Sequence, residues 1–129
     1  MAFLGMAECN AKGDVNVSKF KDRIAGCGGF INITQNTHKV VFCGTFTAKG
    51  LREEIRDGKL VITHEGAVQK FIDKVGQITF SAEYAHKHNQ QVMFITERCV
   101  FVLTDKGLVL TEIAPGVDLQ KDILDQMEF

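Results

Sequence analysis

The residues best suited to chemistry in this chain are the three glycines of Gly26-Cys27-Gly28-Gly29. Successive glycines let backbone N–H groups approach a ligand without a Cβ in the way, and such groups can be aimed at an oxyanion that develops when a carbonyl is attacked. Ordinary turns are the commoner use of the same composition, and spacing alone does not separate the two. The segment matches neither Gly-x-Gly-x-x-Gly nor a phosphate loop ending in Gly-Lys-Ser/Thr.

Other reactive side chains form no recognisable constellation. His86 and His88 flank Lys87, and on a helix residues two apart face different sides, so both read as solvated rather than as paired metal ligands. His64 beside Glu65 and His38 beside Lys39 lack a serine, cysteine or further carboxylate at a triad-like spacing. Glu53-Glu54, Glu97 and Glu112 fall on predicted strands, and Asp122 and Asp125 on the outer side of a predicted final helix; a solvated face accounts for them. Glu97-Arg98 and Glu112 stand out only because strands end near them. Cys9, Cys27, Cys43 and Cys99 are far apart, with no Cys-x-x-Cys pair, and read as buried reduced thiols.

Around these residues the pattern is mostly β. Ala2 to Ala7 is an apolar run of the kind buried inside a parallel sheet, and with no polar lead-in it reads as the middle of a fold with a severed sheet edge. Turn residues Asn10 to Asp14 and the alternating Val15 to Ser18 predict a hairpin. Phe30 to Thr37 is open between strand, from its Ile31 and Ile33, and helix, from the glycines before it. Lys39 to Phe46 predicts a buried strand. Arg52–Arg56 and Leu60–His64 predict a tight hairpin about Asp57-Gly58, continued by short strands at Val68–Ile72 and Gln77–Phe80. Ser81 can cap a short helix to about His88, with Ala82 and Ala85 inward. Three strands follow at Gln91–Thr96, Cys99–Thr104 and Leu108–Ile113. After Pro115-Gly116, Asp118 caps a final helix with Leu119, Ile123, Leu124 and Met127 on one face. The sum is an α/β fold over residues 1–129, a single domain with a mixed sheet and flanking helices.

Composition bounds the function. The chain has 129 residues, 45% of them apolar, with 15 basic and 16 acidic side chains, so no strong field would gather nucleic acid or an anionic membrane. No apolar run approaches the ~20 residues of a membrane span, and the start lacks a secretory signal pattern. A cytoplasmic location is expected.

Taken together, Ala2-Phe3-Leu4-Gly5, Gly13 to Ser18, Gly26 to Ile33, Lys39 to Phe42, Ile95 to Phe101 and Thr111-Glu112-Ile113-Ala114-Pro115-Gly116-Val117-Asp118 resemble a family I acyl-CoA:acetate/3-ketoacid CoA-transferase. The resemblance implies the C-terminal, β-subunit-like portion of a fold of the NagB/RpiA/CoA-transferase type, active in ketone-body or short-chain fatty-acid metabolism. It implies that Gly29 donates its backbone N–H to an oxyanion hole, that Gly28 shapes the loop and that Gly28, Gly29 and Phe30 contact substrate. It favours a helix opening at Gly28 to Ile33. The family's nucleophilic glutamate has no match here, and Glu8 is no substitute, so the chain alone is expected to be inactive. Coenzyme A enters as a substrate, with no cofactor. The implied partners are acyl-CoA, a short-chain carboxylate and the N-terminal, α-like half, with homo-oligomerisation open through the sheet edge. The competing expectation is a non-catalytic CoA-binding or assembly module.

Overall fold

The computed structural model describes residues 1–129 throughout. Its strands are β1 (Ala2–Gly5), β2 (Glu8–Cys9), β3 (Val15–Asn16), β4 (Lys19–Phe20), β5 (Arg23–Ile24), β6 (Lys39–Cys43), β7 (Thr47–Ala48), β8 (Arg52–Arg56), β9 (Lys59–His64), β10 (Val68–Gln69), β11 (Gln91–Ile95), β12 (Cys99–Thr104) and β13 (Gly107–Ile113). Two helices, α1 (Phe30–Gln35) and α2 (Ala82–Lys87), connect them. The main sheet has five strands in the order β1-β6-β11-β12-β13. β1, β6 and β11 run parallel, whereas β12 and β13 turn back antiparallel, so the sheet is mixed.

One face of this sheet carries the core. Val40 and Phe42 on β6, Val92 and Phe94 on β11 and Phe101 on β12 point the same way, as period-2 alternation requires. Phe42 is the centre. Its ring lies 5.1 Å from Phe94, 5.9 Å from Phe30 at the start of α1 and 5.1 Å edge-on from Phe80. Phe46 and Phe71 stack at 4.8 Å, and Phe71 reaches Phe101 at 5.2 Å. Ala85 of α2 and Ile123 near the C-terminus close the same layer. Aromatic pairs at these spacings add to the burial of their area.

Several sequence expectations hold in detail. Asp57 and Gly58 take φ of 51° and 75°, the left-handed pair that a two-residue hairpin turn needs, and they join β8 to β9. Ser81 Oγ accepts from Tyr84 N, and Ala82 and Ala85 are buried. Phe30 to Gln35 is helical, as the resemblance favoured, because Phe30 is drawn into the core at its first turn. The Asn10–Asp14 turn closes the expected hairpin, joining β2 to β3. The opening strand, β1, pairs only with β6 and is the expected sheet edge. Others need correction: β1 alternates half-buried with exposed instead of being buried on both faces. Gln77 to Phe80 forms only an isolated bridge from Phe80 to Val15.

The C-terminal segment departs furthest. Asp118 does cap it, accepting from Lys121 N, but Leu119–Ile123 is a π turn and Leu124–Gln126 a 3₁₀ turn. The wider and tighter turns break the 3.6-residue period. Ile123 is buried, while Leu119 and Leu124 face outward. The flanking helices are therefore two short ones.

This layering predicts unequal responses to truncation. Phe42→Ala should lower unfolding free energy by about 3–5 kcal/mol, and Val109→Thr, on the opposite face, should change it by less than about 0.5 kcal/mol. Denaturant titration of both variants checks this; comparable losses would contradict the assignment of the core face.

Candidate functional site

The glycine loop lies at the carboxyl end of the parallel strands. Phe30, the first residue of α1, stacks on Phe42 near the end of β6. At the other end of α1, Gln90, just before β11, donates through Nε2 to the carbonyls of Thr34 (2.6 Å) and Thr37 (2.7 Å). α1 thus runs antiparallel to the strands, with Gly28-Gly29 at the end where open α/β sheets bind ligands.

Gly28 and Gly29 have different reasons to be glycine. Gly28 has φ +52°, a conformation that costs side-chain-bearing residues about 1–2 kcal/mol. Gly29 is ordinary, with φ −83° and ψ 2°, and a Cβ there would meet only Ile33 Cδ1, at 3.7 Å. Both residues are exposed. The neighbouring amide of Phe30 donates to Cys27 O at 3.0 Å, and Gly29 O accepts from Ile33 N, whereas the Gly29 amide has no acceptor within the chain. A solvent-facing amide beside an unobstructed surface results. Phe30 is turned inward, and its side chain anchors the loop to the core.

A second cluster at the same end of the sheet is built on Arg98, whose side chain is 0% exposed. Nε donates to Glu97 Oε1 (2.9 Å); Nη1 donates to Glu65 Oε2 (2.9 Å) and Asp122 O (2.8 Å); Nη2 donates to Glu65 Oε1 (2.7 Å) and Thr47 Oγ1 (3.4 Å). All five guanidinium donors are used. The Phe46 ring lies 5.2 Å from the guanidinium carbon, and the Phe46 amide donates to the other oxygen of Glu97 at 2.8 Å. Lys70 Nζ donates to Thr45 O at 2.8 Å. Two cations and two carboxylates balance.

The electrostatics follow from this enclosure. Burial alone would raise the Glu65 pKa, but hydrogen bonds from Arg98 and Thr47 outweigh it and hold the carboxyl below its ordinary value. For Arg98, burial opposes the charge, yet the bonds to Glu65 and Glu97 raise its pKa further. Burial lowers the pKa of Lys70 against the opposing pull of Glu97. Glu53 is raised, first by burial and then by Glu97. Gly66 is needed beside this cluster because a Cβ there would sit 2.6 Å from Ala48 O.

Sequence reasoning placed Glu97 on a solvated face and assigned Arg98 no role, and the structure corrects the first and adds the second: Glu97 is paired and Arg98 is buried. The one available signal was an arginine in the short turn between two apolar strands. Cys9 and Cys99 are buried as expected, with the Cys99 thiol pushed up to about 11 by burial. Cys27 is half-buried and Cys43 exposed, so the expectation of buried thiols fails at Cys43. His64, His86 and His88 are exposed, and His88 Nδ1 lies 2.9 Å from Tyr84 O rather than near another ligand-type side chain.

No protein-family profile matches the chain. The caffeate CoA-transferase of Acetobacterium woodii is 53% identical over 134 aligned residues, covering 100% of this chain and 25% of that protein. The acetate CoA-transferase YdiF of Escherichia coli K12 is 53% identical over 129 residues, covering 100% of this chain and 24% of that protein. The chain is homologous to part of the family I CoA-transferases. It spans about a quarter of the length of the relatives it matches. The crystal structure of the acyl-CoA transferase YdiF apoenzyme from Escherichia coli O157:H7 superposes with a TM-score of 0.96 at 54% identity, over 98% of this chain and 25% of that one. The same enzyme's thioester complex with CoA matches equally well. IpdAB of Rhodococcus jostii shares the fold alone, at 16% identity and a TM-score of 0.67, over 98% of this chain and 49% of that one. No helix of this chain is long and apolar enough to cross a membrane.

The Arg98 cluster generates a stability prediction. Arg98→Ala strands two carboxylates in a half-buried site and should cost about 3–5 kcal/mol, with little rescue by Arg98→Lys, which cannot grip Glu65 with two nitrogens. A carboxyl with a depressed folded pKa stabilises the fold above its unfolded pKa of about 4.3, and that contribution is lost as pH falls through the folded value. Glu65→Gln should accordingly flatten the fall in stability below about pH 4.5. Chemical denaturation at a series of pH values reads both effects, and an unchanged acid limb in Glu65→Gln would contradict this role.

Proposed function

We propose that residues 1–129 form the C-terminal, CoA-transferase-like domain of a short-chain acyl-CoA:carboxylate CoA-transferase, a cytoplasmic enzyme whose glutamate nucleophile lies on a polypeptide segment outside these residues. What carries this reading is the exposed, unpartnered amide of Gly29 at the carboxyl end of the parallel strands, in a chain about half identical to CoA-transferases along its whole length.

In this reading the glutamate carboxylate attacks the thioester carbonyl of acyl-CoA. The carbonyl oxygen becomes an oxyanion, which the Gly29 N–H stabilises, and collapse breaks the C–S bond to give a glutamyl–acyl anhydride and CoA thiolate. The thiolate then attacks the glutamyl carbonyl and releases the first carboxylate, leaving a glutamyl-CoA thioester. A second carboxylate attacks that thioester to form a new anhydride, and the expelled CoA thiolate takes the new acyl group and restores the glutamate. Each attack creates an oxyanion, so one preorganised donor serves every step; removing such a donor costs about 3 kcal/mol. Gly28 fixes the direction of the amide through its positive φ, and Phe30 holds the loop to the sheet through Phe42. The absence of a Cβ at Gly29 leaves room for a reacting carbonyl to reach the N–H.

Combining this chain with the part of the Escherichia coli enzyme that it does not match should restore CoA transfer between acetyl-CoA and a short-chain carboxylate, while the chain alone transfers none. Gly29→Val should leave stability within about 0.5 kcal/mol yet slow transfer by about 10²-fold or more. Transfer by the isolated chain, or full activity in Gly29→Val, would count against this role. CoA binding without transfer in the combined system would favour a binding module.

A further inference from the structure

One buried cation at the carboxyl end of the sheet has no part in the reaction described so far. Lys70 is 7% exposed, and its ammonium carries three N–H donors with one acceptor in hydrogen-bond reach, Thr45 O at 2.8 Å. No carboxylate lies within 4.0 Å of Nζ. Glu97 acts on it from further away, and both oxygens of Glu97 are engaged, by Arg98 Nε and by the Phe46 amide. Taking an ammonium out of water is costly unless an anion or a full set of acceptors replaces the water.

The surroundings of Nζ show where an anion enters. β1 and β6 end side by side at Gly5 and Cys43, and the ladder of β6 continues through the Gly44 amide, which donates to Ile95 O at 3.2 Å. Gly44 therefore shares the face of Phe42, two residues before it, and that face also carries Phe30 and the Gly28-Gly29 loop. A Cβ on Gly44 would stand 2.9 Å from Lys70 Nζ and 3.9 Å from Met6 O, with no other atom beyond the adjoining residues within 4 Å. The missing side chain leaves a recess over the carboxyl ends of β1 and β6. Its floor is the Lys70 ammonium, and exposed Cys43 and Thr45 flank its mouth.

We propose that this recess binds the carboxylate of the acid that accepts CoA, a short-chain monocarboxylate, with one oxygen on Lys70 Nζ. This rests on the reading above, in which a glutamyl-CoA thioester is the intermediate. At that stage the enzyme's glutamate is a neutral thioester, so the incoming carboxylate is the reacting group that carries charge. Its second oxygen attacks the glutamyl carbonyl. The new C–O bond forms, the oxyanion meets the Gly29 N–H, and collapse breaks the C–S bond and releases CoA as the thiolate. Arg98 cannot take this part, because all five of its donors are spent. An ammonium also suits the task better: it is a point charge that holds one oxygen and leaves the other free, whereas a guanidinium grips both.

The test uses the Escherichia coli acetate CoA-transferase with its matched quarter replaced by this chain. The chimera is loaded with acetyl-CoA and freed of acetate by gel filtration, and the thioester is then discharged with butyrate or with hydroxylamine, a nucleophile uncharged at neutral pH. Lys70→Met keeps the length of the side chain without its charge. Gly44→Ala keeps the ammonium and fills the recess, displacing only the far end of a flexible side chain, so it stays folded even if Lys70→Met does not. Both variants should need at least ten-fold more butyrate for the same discharge rate and react with hydroxylamine within two-fold of the unaltered chimera. An unchanged butyrate dependence in Gly44→Ala, or equal slowing with both nucleophiles, as a role confined to holding Thr45 predicts, would overturn the site while leaving the transfer reaction in place. If the chimera does not load, acetate titrated into this chain decides, followed through the amide resonances of Gly44 and Thr45. Saturable shifts that chloride and acetamide do not produce, and that both variants abolish, would support the carboxylate site while counting against the proposed reaction; their absence would overturn the site.

Discussion

The constraint on which this fold most depends is a single buried guanidinium. Arg98 sits in the short turn between β11 and β12, yet its partners come from the loop after β9, the segment after β6 and the C-terminal turns. Moving such a charge out of water is costly, and the cost is offset only if every donor finds an acceptor. Chain segments far apart in sequence must therefore meet in one arrangement. The ion pairs contribute less as net stability than as a requirement for a particular register of loops.

That requirement acts at one end of the sheet. Phe46 is held twice, by its ring near Arg98 and by its amide on Glu97, which fixes the chain leaving β6. At the same end, Phe30 ties the Gly28-Gly29 loop to Phe42. Both devices use the aromatic layer as their foundation. The loop with an open amide is thereby anchored on the buried aromatic layer, and a fixed donor is what preorganised stabilisation of a developing charge needs.

Much of this was legible in the residues. Asp57-Gly58, Ser81 with its two inward alanines, and the Val/Phe/Thr-rich runs from Gln91 to Ile113 signal structure through local chemistry, and the structure follows them. The difficulties arise where distant residues decide. Arg98 and Glu65 are 33 positions apart, so an arginine beside a glutamate reads as a solvated pair until the fold brings the second carboxylate to it. Leu119, Ile123 and Leu124 have helical spacing, but a π turn carries only Ile123 inward. The opening run reads as a severed sheet edge, and β1 is one, but its apolar composition looks buried whereas its residues alternate half-buried with exposed. The glycine loop is the reverse case: its spacing was ambiguous, and the resemblance to a family singled it out before the geometry did.

Native-state hydrogen exchange of the isolated chain tests most directly whether Arg98 holds the carboxyl end of the sheet together. The amides of Phe46, Cys99 and Ala114 bond to or beside this turn. They should exchange only through the same global opening that exposes Phe42 and Phe94, and in Arg98→Lys they should shift to a separate opening of lower free energy. Fast local exchange of these three amides in the unaltered chain, with Phe42 and Phe94 still protected, would contradict the account.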